Sequence, residues 1–291
     1  MPKHFEKAAA LLPPELRAAA LSLPAADRAG CEEVRLRVGF APTVRLPAGE
    51  RPFFDAPVTA ETLSAVLEAA TSASLHACGE QLRRGFVTAA PGGIRVGVCG
   101  TAVCAGGAVQ TLRGVSSLCL RVARPVPGAG REILPLLAGK SVLIVSPPGG
   151  GKTTLLRELV RTQSDAGIRV ALADERGELA APGADGVPGF DVGRCTDVLA
   201  FAPKAAAAEM LLRAMGPEAV AMDELACEAD AAAVTALLGC GVRVFATAHA
   251  ADRSALERRA VFRELLARRA FDCLVRIRIA RGRRVYEVDA L

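Results

Sequence analysis

VLIVSPPGGGKTTLLR, residues 142–157, is an apolar run of β type that breaks into proline and glycine and then delivers Lys-Thr-Thr onto a helical pattern. Gly149, Gly150 and Gly151 let the main chain curl so that successive N–H groups point inward at an anion, a concavity that side chains would obstruct. Lys152 adds a full charge for the β- and γ-phosphates and Thr153 a hydroxyl for Mg²⁺, while the helix that begins here directs its positive dipole end at the same tail. The phosphate cradle is expected to run from Gly149 to Thr154, with Ser146 at the foot of the loop. The strict motif has glycine six positions before the lysine, and this chain has Ser146 there.

A phosphate loop between a strand and a helix predicts an α/β domain, and the flanking pattern agrees. Strands are expected at 142–146, 168–173, 219–223 and 242–247, with helices at 152–165, 203–215 and 228–239 between them. Repeated crossovers of this kind give a parallel sheet with helices on both faces. A charged helix is expected around 254–270, and FDCLVRIRIARGRRVYEVDAL reads as a closing hairpin turning at Arg281-Gly282-Arg283.

The 291 residues exceed a usual single domain. Upstream of ARPVPGAG (123–130) the rhythm changes: VRLRV (34–38) alternates with period two, 61–78 is an alanine-rich helix opened by Thr59, and GIRVGVCG (93–100) is strand-like. Residues 1–125 are therefore expected to form a smaller α+β domain, and 126–291 the phosphate-loop domain.

AVAMDEL (219–225) is an apolar strand ending in two acids. Asp223 is placed to hold Mg²⁺ through water, and Glu224, one residue on and pointing elsewhere, to polarise the water that attacks a γ-phosphate. The strand before it ends in ADERGEL, which brings Asp174, Glu175 and Glu178 to the carboxyl edge of the sheet, where open α/β folds bind ligands. These acids either order metal and water or form a solvated loop. VRVFATAH (242–249) reaches the same edge with Thr247 and His249, a polar pair able to sense a γ-phosphate.

Composition narrows the remaining choices. No run approaches the roughly 20 apolar residues of a membrane-spanning helix, and MPKHFEKAAALLPPEL lacks the apolar centre of a signal peptide, so a cytoplasmic location is expected. Nine cysteines without a CxxC pair and three histidines indicate neither a zinc ribbon nor a disulfide framework. The charge of +5 leaves a nucleic-acid-linked ATPase open, but with no tryptophan and one tyrosine, Tyr286, a stacking platform for single strands is not favoured. An ATP-binding scaffold with little turnover is a third reading, supported by Ser146 and opposed by Glu224.

SPPGGGKTTLLREL, DERGELA, DVGRCTDVL, PKAAAAEMLLRAMGPEAVAMDE and VFATAHA, with EVRLRVGFAP, GEQLRRGFVTAAPGGIRVGVCGTAV and VSSLCLRVAR upstream, resemble the stage III sporulation protein AA family across nearly the whole chain. The resemblance implies a RecA-like P-loop NTPase domain, hydrolysis of ATP with Mg²⁺, and kinship with the hexameric ATPases of type II and type IV secretion. It implies an acidic box at Asp174 to Glu178 and a histidine box at His249. It further implies a homo-oligomeric ring at the mother-cell side of the membrane facing the forespore, energising a channel formed with other stage III sporulation proteins. In such rings an arginine from a neighbour commonly completes the site, and Arg113, Arg121, Arg194 and Arg213 are the candidates.

Overall fold

The computed structural model describes residues 3–71, 78–89, 94–122, 126–182, 186–280 and 283–291. The chain divides into two compact units, one of Met1–Arg124 with Ala181–Gly189, the other of Pro125–Ala180 with Phe190–Leu291.

The first unit opens with three helices, α1 (Lys3–Ala10), α2 (Pro14–Ser22) and α3 (Ala25–Gly30), and adds α4 (Ala60–Thr71) and α5 (Gly79–Arg83). Its sheet contains β1 (Glu33–Arg37), β2 (Thr43–Leu46), β3 (Gly49–Pro52), β4 (Phe86–Ala89), β5 (Ile94–Ala105) and β6 (Ala108–Arg121), in the order β3-β2-β1-β6-β5-β4. Every pairing is antiparallel. In β1 the period-two pattern is realised: Val34 and Leu36 are fully buried, and the intervening charged residues are half-buried. Thr59 does open α4, its hydroxyl accepting the Thr62 N–H at 3.2 Å. That helix ends at Thr71, and Cys78, the last residue of the expected helix, instead precedes α5; residues 72–77 lie outside the described residues, as do Gly93 at the start of the expected strand and 123–125 of the expected boundary.

The second unit is built on seven strands: β7 (Val142–Ser146), β8 (Val170–Asp174), β9 (Thr196–Ala200), β10 (Ala219–Met222), β11 (Arg243–His249), β12 (Cys273–Ala280) and β13 (Arg283–Ala290). They run in the order β13-β12-β7-β11-β10-β8-β9, parallel except for β13. The helices are α6 (Lys152–Asp165), α7 (Lys204–Met215), α8 (Glu228–Gly239), α9 (Arg253–Glu257) and α10 (Ala260–Ala267).

Every residue of β7, β8 and β10 is buried. Leu143 and Val145 enter the core shared with α7, α8 and α10, while Val142 and Ile144 enter the core under α6. A strand buried on both faces favours apolar residues throughout, which is why 142–145, 170–173 and 219–222 read as unbroken hydrophobic runs, with the polar Ser146 and Asp174 only at the strand ends. Truncating Leu143 to alanine would cost about 2–5 kcal/mol.

Two elements differ from expectation. Edge strand β9 has no expected counterpart, because TDVLA is only partly buried and carries neither alternation nor a long apolar run. The helix expected at 254–270 is two helices: Arg259 takes an extended conformation between them (φ −95°, ψ 123°) and its guanidinium stacks over Phe262 at 4.5 Å. The hairpin turn at 281–282 lies outside the described residues, but β12 and β13 pair from Cys273↔Ala290 to Ala280↔Arg283. Among the described residues no helix is long and apolar enough to cross a membrane.

Candidate functional site

The loop after β7 is shaped by three glycines with two different duties. Gly149 and Gly151 have φ of +74° and +103°, a left-handed region that side chains disfavour. Gly150 has an ordinary φ but no room: a Cβ there would stand 2.2 Å from Ser146 Oγ. The serine that replaces the motif's first glycine thus occupies the space Gly150 leaves. Ser146 is 1% exposed and its hydroxyl donates to Pro147 O at 2.8 Å.

Lys152, the first residue of α6, is 6% exposed. Its ammonium donates to Ser146 O at 3.1 Å and Pro147 O at 3.3 Å and lies 3.0 Å from His249 Nδ1. None of these partners is a carboxylate. Burial lowers its pKa, against the pull of Asp223 and Glu224. A buried cation held only by lone pairs, beside a glycine-rich turn at a helix N-terminus, could hold an anion.

The carboxylates arrive from β10, which is separated from β7 by β11. Parallel register sets His249 opposite Ser146 and Met222 opposite Ala246, so the ends of all three strands meet at one edge. Asp223 Oδ2 accepts from Thr153 Oγ1 at 2.8 Å, and its Oδ1 accepts from Thr247 Oγ1. That Thr247 hydroxyl in turn accepts the Glu224 N–H at 2.8 Å. Thr153 and Asp223 are the pair that could hold Mg²⁺, an oxygen-only set suited to a hard cation that keeps much of its water.

Glu224 is one of four non-glycine residues with positive φ among those described, at +57°. Such a conformation costs roughly 1–2 kcal/mol, and Thr247 holds it on both sides through the Glu224 N–H and, at 2.8 Å, the Leu225 N–H. The Glu224 carboxylate has one oxygen 3.2 Å from His249 Nε2 and the other 2.5 Å from Arg176 Nη1. With Nδ1 facing the lysine ammonium, the imidazole proton is assigned to Nε2, where it donates to Glu224.

The acidic loop has divided roles. Asp174, for which the sequence leaves open metal or water ordering and a solvated loop, ties its own loop together: it is 2% exposed and accepts from the N–H groups of Glu178 at 3.0 Å and Ala180 at 2.8 Å, with Leu179 bridging both oxygens. Burial pushes its carboxyl pKa up, opposed by those N–H groups. Beneath it, Arg157 donates to Leu179 O and Glu178 O, both at 2.7 Å, and stacks 4.0 Å from the Phe190 ring. Burial depresses this guanidinium to about 10. Glu175 pairs with Lys204 at 3.0 Å. Glu175 and Glu178 line one small pocket with Asp223, Glu224, Arg176 and Lys204.

Ser146, Gly149, Gly150, Gly151, Lys152, Thr153, Asp223, Glu224 and His249 thus converge, and Thr154 stands half-buried in the first turn of α6 behind them. Nothing in DERGEL itself marks Arg176, because its pairing with Glu224 follows from β8 and β10 being neighbours. Of the arginine candidates, Arg194 donates to Asp165 O at 3.2 Å and Arg213 pairs with Glu209 at 2.6 Å, while Arg113 and Arg121 belong to β6 in the first unit.

The profile of the family described as sporulation stage III, protein AA, matches residues 6–285. Stage III sporulation protein AA of Bacillus subtilis (strain 168) is 33% identical over 282 residues, spanning 94% of this chain and 91% of that protein. Among solved structures, the Legionella pneumophila ATPase DotB superimposes with a TM-score of 0.60 at 17% identity, over 90% of this chain and 77% of that one. The pilus retraction motor PilT, solved with bound ADP, gives 0.61 at 17% identity over 90% and 80%. At such identity these two likenesses concern the fold.

Proposed function

The chain belongs to the sporulation stage III protein AA family, and from that premise we propose that it is an ATPase which binds and hydrolyses MgATP to energise a membrane-associated, secretion-like complex in endospore formation. The observation that carries the reading is the buried Lys152 ammonium, with only uncharged hydrogen-bond acceptors, at a glycine cradle faced by Asp223 and Glu224.

In this reading the N–H groups of Gly149 to Thr154 and the Lys152 ammonium bind the β- and γ-phosphates. Thr153 and Asp223 hold Mg²⁺, which supplies charge neutralisation on the phosphate oxygens. Glu224 orients the attacking water and takes its proton, while His249 and Arg176 fix the two oxygens of that carboxylate. Glu175 and Glu178 tune the field of the adjoining pocket. Residues 1–125 and 126–291 serve as an accessory domain and the ATPase domain, assembled as a homo-hexameric ring at the mother-cell membrane facing the forespore with other stage III sporulation proteins.

Steady-state phosphate release, measured with and without Mg²⁺ alongside native mass, tests this. Mg²⁺-dependent turnover and a nucleotide-driven shift to a hexamer are expected. Saturable ATP binding without phosphate release at any protein concentration would reduce the chain to a nucleotide-dependent scaffold.

A further inference from the structure

The last strand of the chain reaches back to the phosphate loop. Along β13 the side chains alternate, and Tyr286 and Val288 pack against the core under α6. Two residues before Tyr286, Arg284 shares that face and meets the segment from which α6 starts. Its Nε donates to Gly150 O at 2.9 Å. A Cβ on Gly151 would stand 2.6 Å from the same nitrogen and 3.4 Å from the guanidinium carbon. Gly151 is therefore bare for two reasons, its φ of +103° and the arginine lying on it.

The bond acts on a specific peptide plane. The Gly150 carbonyl and the Gly151 N–H belong to one trans peptide group and point in opposite directions. An arginine that holds the carbonyl from outside fixes the N–H toward the inside, where a nest of N–H groups meets phosphate. Main-chain bonds flank this plane, from Gly150 N–H to Pro147 O and from Leu155 N–H to Gly151 O, but glycine on both sides of it leaves wide torsional freedom that a bond to the carbonyl itself removes.

We propose that Arg284 is a positioning residue for the nucleotide site: by holding the Gly150 carbonyl it orients the Gly151 N–H toward phosphate and makes binding depend on the β12–β13 hairpin. This rests on the nucleotide reading given above. The Nε of arginine and the Nε2 of glutamine are the same number of bonds from Cα, so Arg284→Gln keeps a donor at that position without charge, whereas Arg284→Met keeps bulk without a donor.

Titration of the full chain with a fluorescent ADP analogue and Mg²⁺, alongside the thermal midpoint of nucleotide-free protein, is the test. Arg284→Met should weaken binding roughly 10-fold, the scale of one lost charge-assisted hydrogen bond. Arg284→Gln should restore most of the affinity, and both variants should melt within about 2 °C of the unaltered chain. Equal affinity for all three chains overturns the proposal, as does a glutamine variant no better than methionine, which would make charge and not the carbonyl bond the active element. A lowered midpoint with unchanged affinity also overturns it, showing an ordinary packing role. If the unaltered chain binds no nucleotide while remaining folded, the nucleotide reading itself falls; if it binds and only the arginine variants are indifferent, the failure belongs to Arg284 alone.

Discussion

The Lys152 ammonium and the His249 imidazole meet at 3.0 Å, and the same ring faces Glu224 across its other nitrogen at 3.2 Å. The proposed phosphate-binding cation and the proposed base thus share one neighbour. Burial lowers the Lys152 pKa, and a phosphate bound beside it would raise it, because a nearby anion favours the charged form. Affinity for MgATP should hold steady below the lysine's pKa in the free protein and fall as pH rises through it, because only the protonated form attracts the anion. Lys152→Ala should cut affinity about 10- to 150-fold at neutral pH and abolish the alkaline decline. Titrations at pH 7, 8, 9 and 10 read both effects, and an unchanged alkaline slope in the variant would assign it to another group.

Glu224 separates stability from activity. Glu224→Gln should bind MgATP normally and lose turnover by roughly 10² to 10⁴, the scale of a missing general base. Glu224→Ala and Glu224→Gly both remove the carboxylate, but only glycine relieves a φ of +57°. The glycine variant should therefore be the more stable of the two by about 1 kcal/mol, measured by urea unfolding. A glycine variant less stable than alanine would show that the left-handed conformation is not held against a preference.

The fold was legible where physics leaves a local trace. Both-face burial makes 142–145 and 219–222 continuous apolar runs, and left-handed φ demands glycine at 149 and 151. What could not be read from residue pattern depended on contacts that only the folded chain supplies. An acid at a sheet edge is either a ligand or a loop residue, and for Asp174 the Glu178, Leu179 and Ala180 N–H groups that it accepts from favour the loop role. Arg176 and Arg284 carry no motif: one needs the β8–β10 pairing, the other the return of β13 to a loop 134 residues earlier. Edge strand β9 is half-exposed and lacks either period.

An acid-sensitive element lies in the first unit. Hydrogen bonds from Arg37 and Thr43, both at 2.6 Å, hold the Glu50 carboxyl at about 2, below its usual 4.5. A carboxyl whose pKa is depressed by folding contributes stability that is whole above the unfolded value and disappears as pH falls through the folded one. Glu50→Gln should therefore be less stable than the unaltered chain at pH 6, and the gap should close between about 4.5 and about 2. Urea midpoints across that range check it, and a gap independent of pH would mean that the amide's own bonds account for the difference.

Ser146 and Gly150 form a size-matched pair, and their coupling can be measured. Adding a Cβ at Gly150 brings it 2.2 Å from Ser146 Oγ and 2.7 Å from Ser146 Cβ, so one of the two must move. Because Ser146 is buried and hydrogen-bonded to Pro147 O, its displacement disturbs the carbonyls that hold Lys152. Gly150→Ala alone should cost about 1–3 kcal/mol, the range for overpacking, and weaken nucleotide binding. Ser146→Gly alone should be mild, since it restores the motif's usual residue. In the double variant the alanine enters space the serine has left, and the two effects should fall short of additivity by about 1 kcal/mol or more. Strict additivity in urea unfolding and in nucleotide affinity would show that the loop absorbs the extra methyl elsewhere, and that the serine is tolerated for reasons unconnected with Gly150.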